Sequence, residues 1–231
     1  MFFAKPPLLL RKLYPKLVWQ IPTDEKNLYL SFDDGPIPEV TPWVLETLNQ
    51  YNAKATFFCV GNNISKYPEI YSEILNNGHS TGNHSFNHIN GWKTSNKIYF
   101  EEVEKCEKEI ENSFLHTPDP SEKEGKLSLQ IRNPKSLFRP PYGKITPSQY
   151  SFLNKKYKII MWDVLSGDYD ATISNEQCLN HTIKYSKNGS IIVFHDSLKA
   201  ENNLRFTLPK MLEYFTDKGF QFKGIDANCL F

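Results

Sequence analysis

Short apolar runs alternate with longer amphipathic stretches from residue 28 to residue 223. Runs rich in β-branched and aromatic residues at 28–32, 56–60, 136–138, 158–162, 190–194 and 220–223 read as strands, with a weaker one at 79–82. Thr41-Pro42 reads as N-cap and first helical residue of a helix to residue 51, and Pro68 starts another that Gly78 closes. Residues 95–114 carry a single apolar stripe, Tyr99, Val103, Cys106, Ile110 and Phe114, stepping by four, three, four and four. Thr146-Pro147 caps a helix to residue 155, and Ser174 with Gln177 forms a capping box for one to residue 186. A final helix ends at Lys218, with Gly219 behind it. Seven strands alternating with helices predict a parallel α/β architecture. A barrel is preferred to an open sheet because the chemically unusual residues cluster after strands one, three, four, five and six. In a barrel those ends meet at one mouth.

Composition narrows the picture. A chain of 231 residues with 39% hydrophobic content suits one large domain with a substantial core. With 27 basic and 26 acidic residues and no block of like charge, neither a nucleic-acid groove nor an anionic membrane is the main partner. Cys59, Cys106, Cys178 and Cys229 form no C-x-x-C pair, which predicts free thiols in a reducing compartment. Lys5, Arg11, Lys12 and Lys16 break the N-terminal apolar residues into pieces too short for a signal-peptide core of about 7–15 residues or a membrane span of about 20. The expectation is a cytoplasmic monomer without a transmembrane segment. Residues 1–25 are expected to form an arm packed on the domain through Leu8, Leu9, Leu10, Leu13, Leu17 and Trp19. Residues 26–231 form the domain itself. Within it, residues 116–135, with Pro118, Pro120, Gly125 and Pro134 and little periodicity, read as an inserted surface loop.

The chemistry starts where the first strand runs into Asp33-Asp34-Gly35-Pro36. Adjacent residues leave a strand on opposite sides, so the two carboxylates face different neighbours. Such a turn alone would only end a strand; the later strand ends make it more. His84 and His88, four apart, face the same way if they share a helical turn. With a carboxylate from elsewhere they would form a two-His, one-Asp site with open positions, suited to Zn²⁺ or a related divalent ion. Arg139, held between a strand and two prolines, is placed to pair with Asp33 and keep it ionised. His195 ends the most apolar strand, and Asp168 is the candidate partner that would raise its pKa. His79, His116 and His181 lack such company and read as ordinary hydrogen-bonded or surface histidines.

Five ordered segments, Ser31 to Pro36, His84 to His88, Arg139 to Gly143, Asp168-Tyr169 and Ile192 to His195, resemble the motifs of the polysaccharide deacetylase family. These are the NodB-homology enzymes of carbohydrate esterase family 4. The resemblance spans about residues 26–224 and implies a distorted (β/α)7 TIM-like barrel. It also implies a hydrolase that removes N-acetyl groups from N-acetylglucosamine-containing glycans of peptidoglycan or chitin type. Deacylation of an O-acetylated or non-sugar compound, and glycan binding without turnover, stand as alternatives. The family pattern implies one divalent ion, zinc first with cobalt or nickel as alternatives, on Asp34, His84 and His88. It implies Asp33 as general base tethered by Arg139, and His195 as general acid supported by Asp168. The backbone N–H of Tyr142 would stabilise the oxyanion. Pro141, Trp162 and Tyr169 would contact sugar, with Trp43 and Trp92 as further rim aromatics. Three positions depart from the common pattern. Tyr169 stands where Trp is frequent, Leu165 where an acid is frequent, and Phe194 where Leu is frequent. None is a metal ligand or an acid–base group, so they bear on substrate preference.

Overall fold

A computed structural model describes residues 4–115 and 137–227. The strands are β1 (Asn27–Asp33), β2 (Thr56–Cys59), β3 (Ser80–Asn83), β4 (Leu137–Phe138), β5 (Lys158–Ile159), β6 (Val164–Leu165), β7 (Ile191–His195) and β8 (Gln221–Lys223). They join in the order β5-β4-β3-β2-β1-β7-β6, every pairing parallel, with β8 beside the first half of β1. Helices cover the outside: α1 (Leu8–Leu13), α2 (Thr41–Gln50), α3 (Gly61–Lys66), α4 (Pro68–Asn76), α5 (Asn96–Leu115), α6 (Pro147–Leu153), α7 (Asn175–Tyr185) and α8 (Glu201–Asp217). The curled parallel sheet with outer helices is the distorted barrel expected from the alternation.

β1 is the axis of the sheet. Its Leu28, Leu30 and Phe32 are buried, and Phe32 stacks between Phe57 of β2 and Phe194 of β7 at centroid distances of 5.0 and 5.9 Å. Ser31 and Asp33 point to the opposite face, toward the barrel interior. In-register pairing sets Asp33 beside Phe58 on one side and His195 on the other. The acid of the first motif and the histidine of the last are therefore sheet neighbours although far apart in sequence.

Several local expectations change. Residues 158–162 do not run as one strand: β5 stops at Ile159, and a separate short strand, β6, follows at Val164. Thr41 is not the cap of α2. The N-cap position is Val40, and the Thr41 hydroxyl instead donates to the buried Asp196 carboxylate at 2.6 Å. The capping box of Ser174 and Gln177 is present, and Thr146 forms a second one with Gln149. α3 follows β2 at once, because Gly61 lets the helix approach Cys106, whose Cα would lie 2.8 Å from any added Cβ.

β5 and β6 are the two edges of the sheet, and the N-terminal segment fills the seam between them. Val18 bridges Ile160 in parallel, and Gln20 bridges Ser190 antiparallel. Leu17 and Trp19 are buried as expected, but Leu9 and Leu13 are 69% and 65% exposed, which corrects their inward placement. The side chains of Leu8 and Leu10, the insertion at 116–135 with His116, and Cys229 lie outside the described residues. Cys59, Cys106 and Cys178 are buried free thiols. Among the described residues, no helix is long and apolar enough to cross a membrane.

Candidate active site

The C-terminal ends of the strands enclose a cavity of about 430 Å³ lined by Asp33, Asp34, His84, His88, Tyr142, Trp162, Tyr169 and His195, among others. It sits where a parallel barrel collects the residues that follow its strands.

Three ligand-type atoms converge in it. Atoms of Asp34, His84 and His88 lie within 4.8 Å of one another, with His84 Nε2 3.8 Å and His88 Nε2 3.3 Å from Asp34 Oδ1. The two histidines do not share a helical turn. His84 follows β3 directly, and His88 comes back to it through a loop in which Ser85 (φ 61) and His88 itself (φ 53) are left-handed. Asn83 holds that loop, its Oδ1 accepting the Ser85 N–H at 2.9 Å and its Nδ2 donating to the Val103 carbonyl.

The donor set fits a divalent cation. His84 Nδ1 donates to the Arg139 carbonyl at 2.7 Å, which leaves the Nε2 lone pair turned toward Asp34. Burial pushes the His84 pKa down to about 4 against the pull of Asp33, so the ring is neutral and able to ligate. Asp34 Oδ1 is buried and makes no hydrogen bond, an unpaired acceptor of the kind a cation satisfies.

Asp33 also lies near His84, its Oδ2 3.9 Å from Nε2, and its Oδ1 meets a buried guanidinium. Arg139 Nη1 donates to Asp33 Oδ1 at 2.6 Å and to Ser31 Oγ at 2.8 Å. Its Nη2 donates to the Met161 carbonyl at 2.9 Å, its Nε reaches the Ile160 carbonyl at 3.3 Å, and the guanidinium lies 4.0 Å over the Phe58 ring. Burial by itself would raise the Asp33 pKa. The Arg139 charge, helped by the protonated His195, overrides it and holds the carboxyl below the ordinary carboxylate value.

His195, at the end of β7, is the opposite case. Asp168 grips it twice, Oδ1 facing Nδ1 at 2.8 Å and Oδ2 accepting the His195 backbone N–H at 2.7 Å. Burial disfavours the charged ring, yet Asp168 wins and raises the imidazole to about 9. Tyr169 packs edge-on against it at 4.8 Å. One cavity thus holds a carboxylate kept ionised and an imidazole kept protonated, beside the metal-type cluster of Asp34, His84 and His88.

Arg139 and Asp168 act from beneath the cavity wall. Tyr142 is exposed, left-handed (φ 58), and packs its ring 4.5 Å from His88. Pro141 is buried and does not line the cavity; Pro140 does. Trp43 lies away from the mouth, under Arg205 and against the core, and Trp92 is an exposed ring beneath Lys144, also outside the cavity. His79 accepts the Ala55 N–H in the core, as an ordinary histidine.

Asp196 carries no role legible in the sequence alone. It is fully buried, accepts the Gly35 N–H at 3.1 Å and the Thr41 hydroxyl, and so holds the turn that presents Asp34. Its signal was an acid directly behind the last motif. Ser31 was legible as the residue two before Asp33 on the same face. Ser197 and Lys199, also in the cavity wall, carried no sequence signal.

A parallel barrel with a two-His, one-carboxylate cluster beside an ionised carboxylate and a protonated imidazole has the parts of a metal-dependent hydrolase. Residues 20–157 match the family described as polysaccharide deacetylase. The chain is 32% identical over 219 residues to a peptidoglycan-N-acetylglucosamine deacetylase of Bacillus cereus, covering 93% of this chain and 94% of that protein. It is 30% identical to a chitooligosaccharide deacetylase of Azorhizobium caulinodans over 77% of each chain. The crystal structure of the Bc1960 peptidoglycan N-acetylglucosamine deacetylase superposes with a TM-score of 0.79 at 27% identity, covering 95% of both chains. The chain belongs to the polysaccharide deacetylase family, carbohydrate esterase family 4.

Proposed function

We propose that this chain removes the acetyl group from N-acetylglucosamine residues of a glycan of peptidoglycan or chitin type, by metal-assisted hydrolysis of the amide. The observation that carries the proposal is the opposed tuning of Asp33 and His195 around Asp34, His84 and His88 in one cavity. The names of the relatives supply the substrate class.

Asp34, His84 and His88 would hold the ion, and two imidazole nitrogens with one carboxylate suit zinc first, with cobalt or nickel as alternatives. When bound, the ion acts as a Lewis acid on the acetyl carbonyl and makes a water acidic enough to attack at neutral pH. Asp33, ionised by Arg139, takes the proton of the attacking water. The Tyr142 backbone N–H is assigned to the developing oxyanion. His195, kept charged by Asp168, gives its proton to the departing amine, which an amide requires because the amide anion is a poor leaving group. Tyr142, Trp162 and Tyr169 offer ring faces to the sugar.

The cavity is built from one chain, so the proposed working unit is a monomer. A cytoplasmic location belongs to the same proposal and requires a soluble N-acetylated oligosaccharide or precursor; cell fractionation checks it. The deciding experiment is acetate release from N-acetylglucosamine oligomers by zinc-loaded protein beside Asp33→Asn. Release by the wild type alone supports both reaction and base. Release only from O-acetylated or non-sugar compounds would replace the substrate class, and tight glycan binding without acetate would replace catalysis with recognition.

A further inference from the structure

The seam between β5 and β6 lies directly behind Arg139, and the segment that fills it is the N-terminal arm. Val18 N–H donates to the Ile159 carbonyl at 3.0 Å, and Met161 N–H donates to the Val18 carbonyl at 2.7 Å. Those bonds are shared with the active site through rigid peptide planes. The carbonyl of Ile160 and the N–H of Met161 belong to one planar unit. Its oxygen accepts Arg139 Nε at 3.3 Å, while its nitrogen is tied to Val18. The preceding unit is held in the same way, its oxygen by Val18 N–H and its nitrogen, of Ile160, by the Phe138 carbonyl just before Arg139. The next carbonyl, of Met161, accepts Arg139 Nη2.

Beyond the Ile160 N–H bond to Phe138 of β4, strand pairing does not hold Ile160 and Met161, because β5 has ended and β6 has not begun. The arm supplies the missing strand at this point. Its anchors are strong: Arg11 and Lys5 pair with the buried Asp163 carboxylate, which also accepts the Ser190 hydroxyl. Leu17 and Trp19 pack in the cluster that includes Phe138, Ile159 and Met161. Val18 packs against the cluster of Phe58 and Ile160, the same Phe58 on which the guanidinium rests. Further along, Ile21 N–H donates to the Gly189 carbonyl.

We infer that the arm is a positioning element of the catalytic centre: through Val18 it fixes the Ile160 carbonyl, which together with the Met161 carbonyl next to it aims Arg139 at Asp33. The inference rests on the reading of Asp33 as base. Val18 touches no reacting atom and acts only through Arg139.

The test is a double-mutant cycle in the full-length, zinc-loaded chain. Val18→Pro deletes the N–H that holds the Ile159 carbonyl, and Val18→Ala keeps it. Arg139→Lys keeps a cation but loses the fork that bonds Ile160 and Met161. Val18→Pro should lower kcat about 10- to 100-fold, as expected for an ångström-scale misplacement, with KM within about twofold and metal content unchanged. Val18→Ala, which keeps that N–H, should lose far less kcat than Val18→Pro. In the Arg139→Lys background Val18→Pro should cost less than about twofold more, whereas its effect should multiply with that of Asp168→Asn, which acts on the other side of the cavity. If Val18→Pro does not fold, Arg11→Gln loosens the anchor and leaves the arm backbone intact. It should give a several-fold loss of kcat with the same non-additivity. Wild-type kcat in these variants, effects additive with Arg139→Lys, or losses that track metal content would make the arm a general stabiliser and overturn the inference. A fully active Asp33→Asn protein would instead remove the underlying reading of the base.

Discussion

Replacing Asp168 with Asn removes one charge and almost no volume, so it isolates what this carboxylate does to His195. Burial alone would take the imidazole below its ordinary 6.5; Asp168, 2.8 Å from Nδ1, reverses that and raises it to about 9. Without the charge the chief cause of that rise is gone and the ring falls toward the ordinary imidazole value of about 6.5. At about pH 8 the protonated fraction then drops from roughly nine tenths to roughly 3%, a ~30-fold loss of the acid, equivalent to about 2 kcal/mol in barrier. A reaction that needs the charged ring fails as pH rises through its pKa. The wild-type alkaline limb therefore belongs at about 9 and that of Asp168→Asn well below it, toward the ordinary imidazole value of about 6.5. In acid, where both rings are charged, only a pH-independent factor from lost orientation should separate the proteins.

The same charge contributes to stability. The folded value lies above the unfolded one, so this contribution is complete below 6.5 and disappears as pH rises through about 9. Asp168→Asn should flatten that part of the Tm profile. It should also lower Tm throughout, because Oδ2 accepts the His195 N–H and Oδ1 the Tyr169 N–H. The amide NH2 opposes the His195 N–H in one placement, and the Tyr169 N–H and His195 Nδ1–H in the other, at about 1–3 kcal/mol. The assay is kcat/KM for acetate release across pH, with thermal melts alongside. An alkaline limb that stays at the wild-type pH in a folded Asp168→Asn protein refutes the pairing as the source of the acid.

Asp33→Asn should keep stoichiometric metal while acetate release collapses; metal analysis beside a rate measurement checks both halves. Asp34→Ala, His84→Ala and His88→Ala should each lose metal and activity together, and metal retained at full stoichiometry would remove the residue from the site. Arg139→Ala leaves the buried Asp33 carboxylate uncompensated and should cost about 3–5 kcal/mol of stability, read by urea unfolding. Gly35→Ala would place a Cβ 2.0 Å from Asp196 Oδ2. The turn must shift, so metal affinity, read by calorimetry, should weaken along with a stability loss of about 1–3 kcal/mol.

Much of the fold was legible because its signals are local. The apolar runs that became β1, β2 and β7, the stripe of α5 and the capping box of α7 depend on residues within one element or one turn. The metal-type residues were legible for the same reason, standing at strand ends in recognisable order. The split of residues 158–162 into β5, a seam and β6 was not legible, since one apolar run serves a strand and the Val18 bridge alike. Thr41 carried an N-cap signal that a buried partner 155 positions away, Asp196, redirected. His84 and His88 were rightly paired for the wrong reason: a left-handed loop, not a helical turn, brings them together.

The amino-acid sequence by itself determined the alternation of elements, the side each strand buries and the chemical groups available at the mouth. Periodicity and turn chemistry act over a few residues, and that range suffices for them. Only the tertiary structure decided what those groups do. Asp33 and Asp34 are adjacent and chemically identical, yet one is drawn down by a buried Arg139 and the other is left with an unpaired oxygen facing two imidazoles. Burial and the nearest charge set protonation and ligation, and for these two carboxylates the partners come from segments 50 or more residues away in the chain.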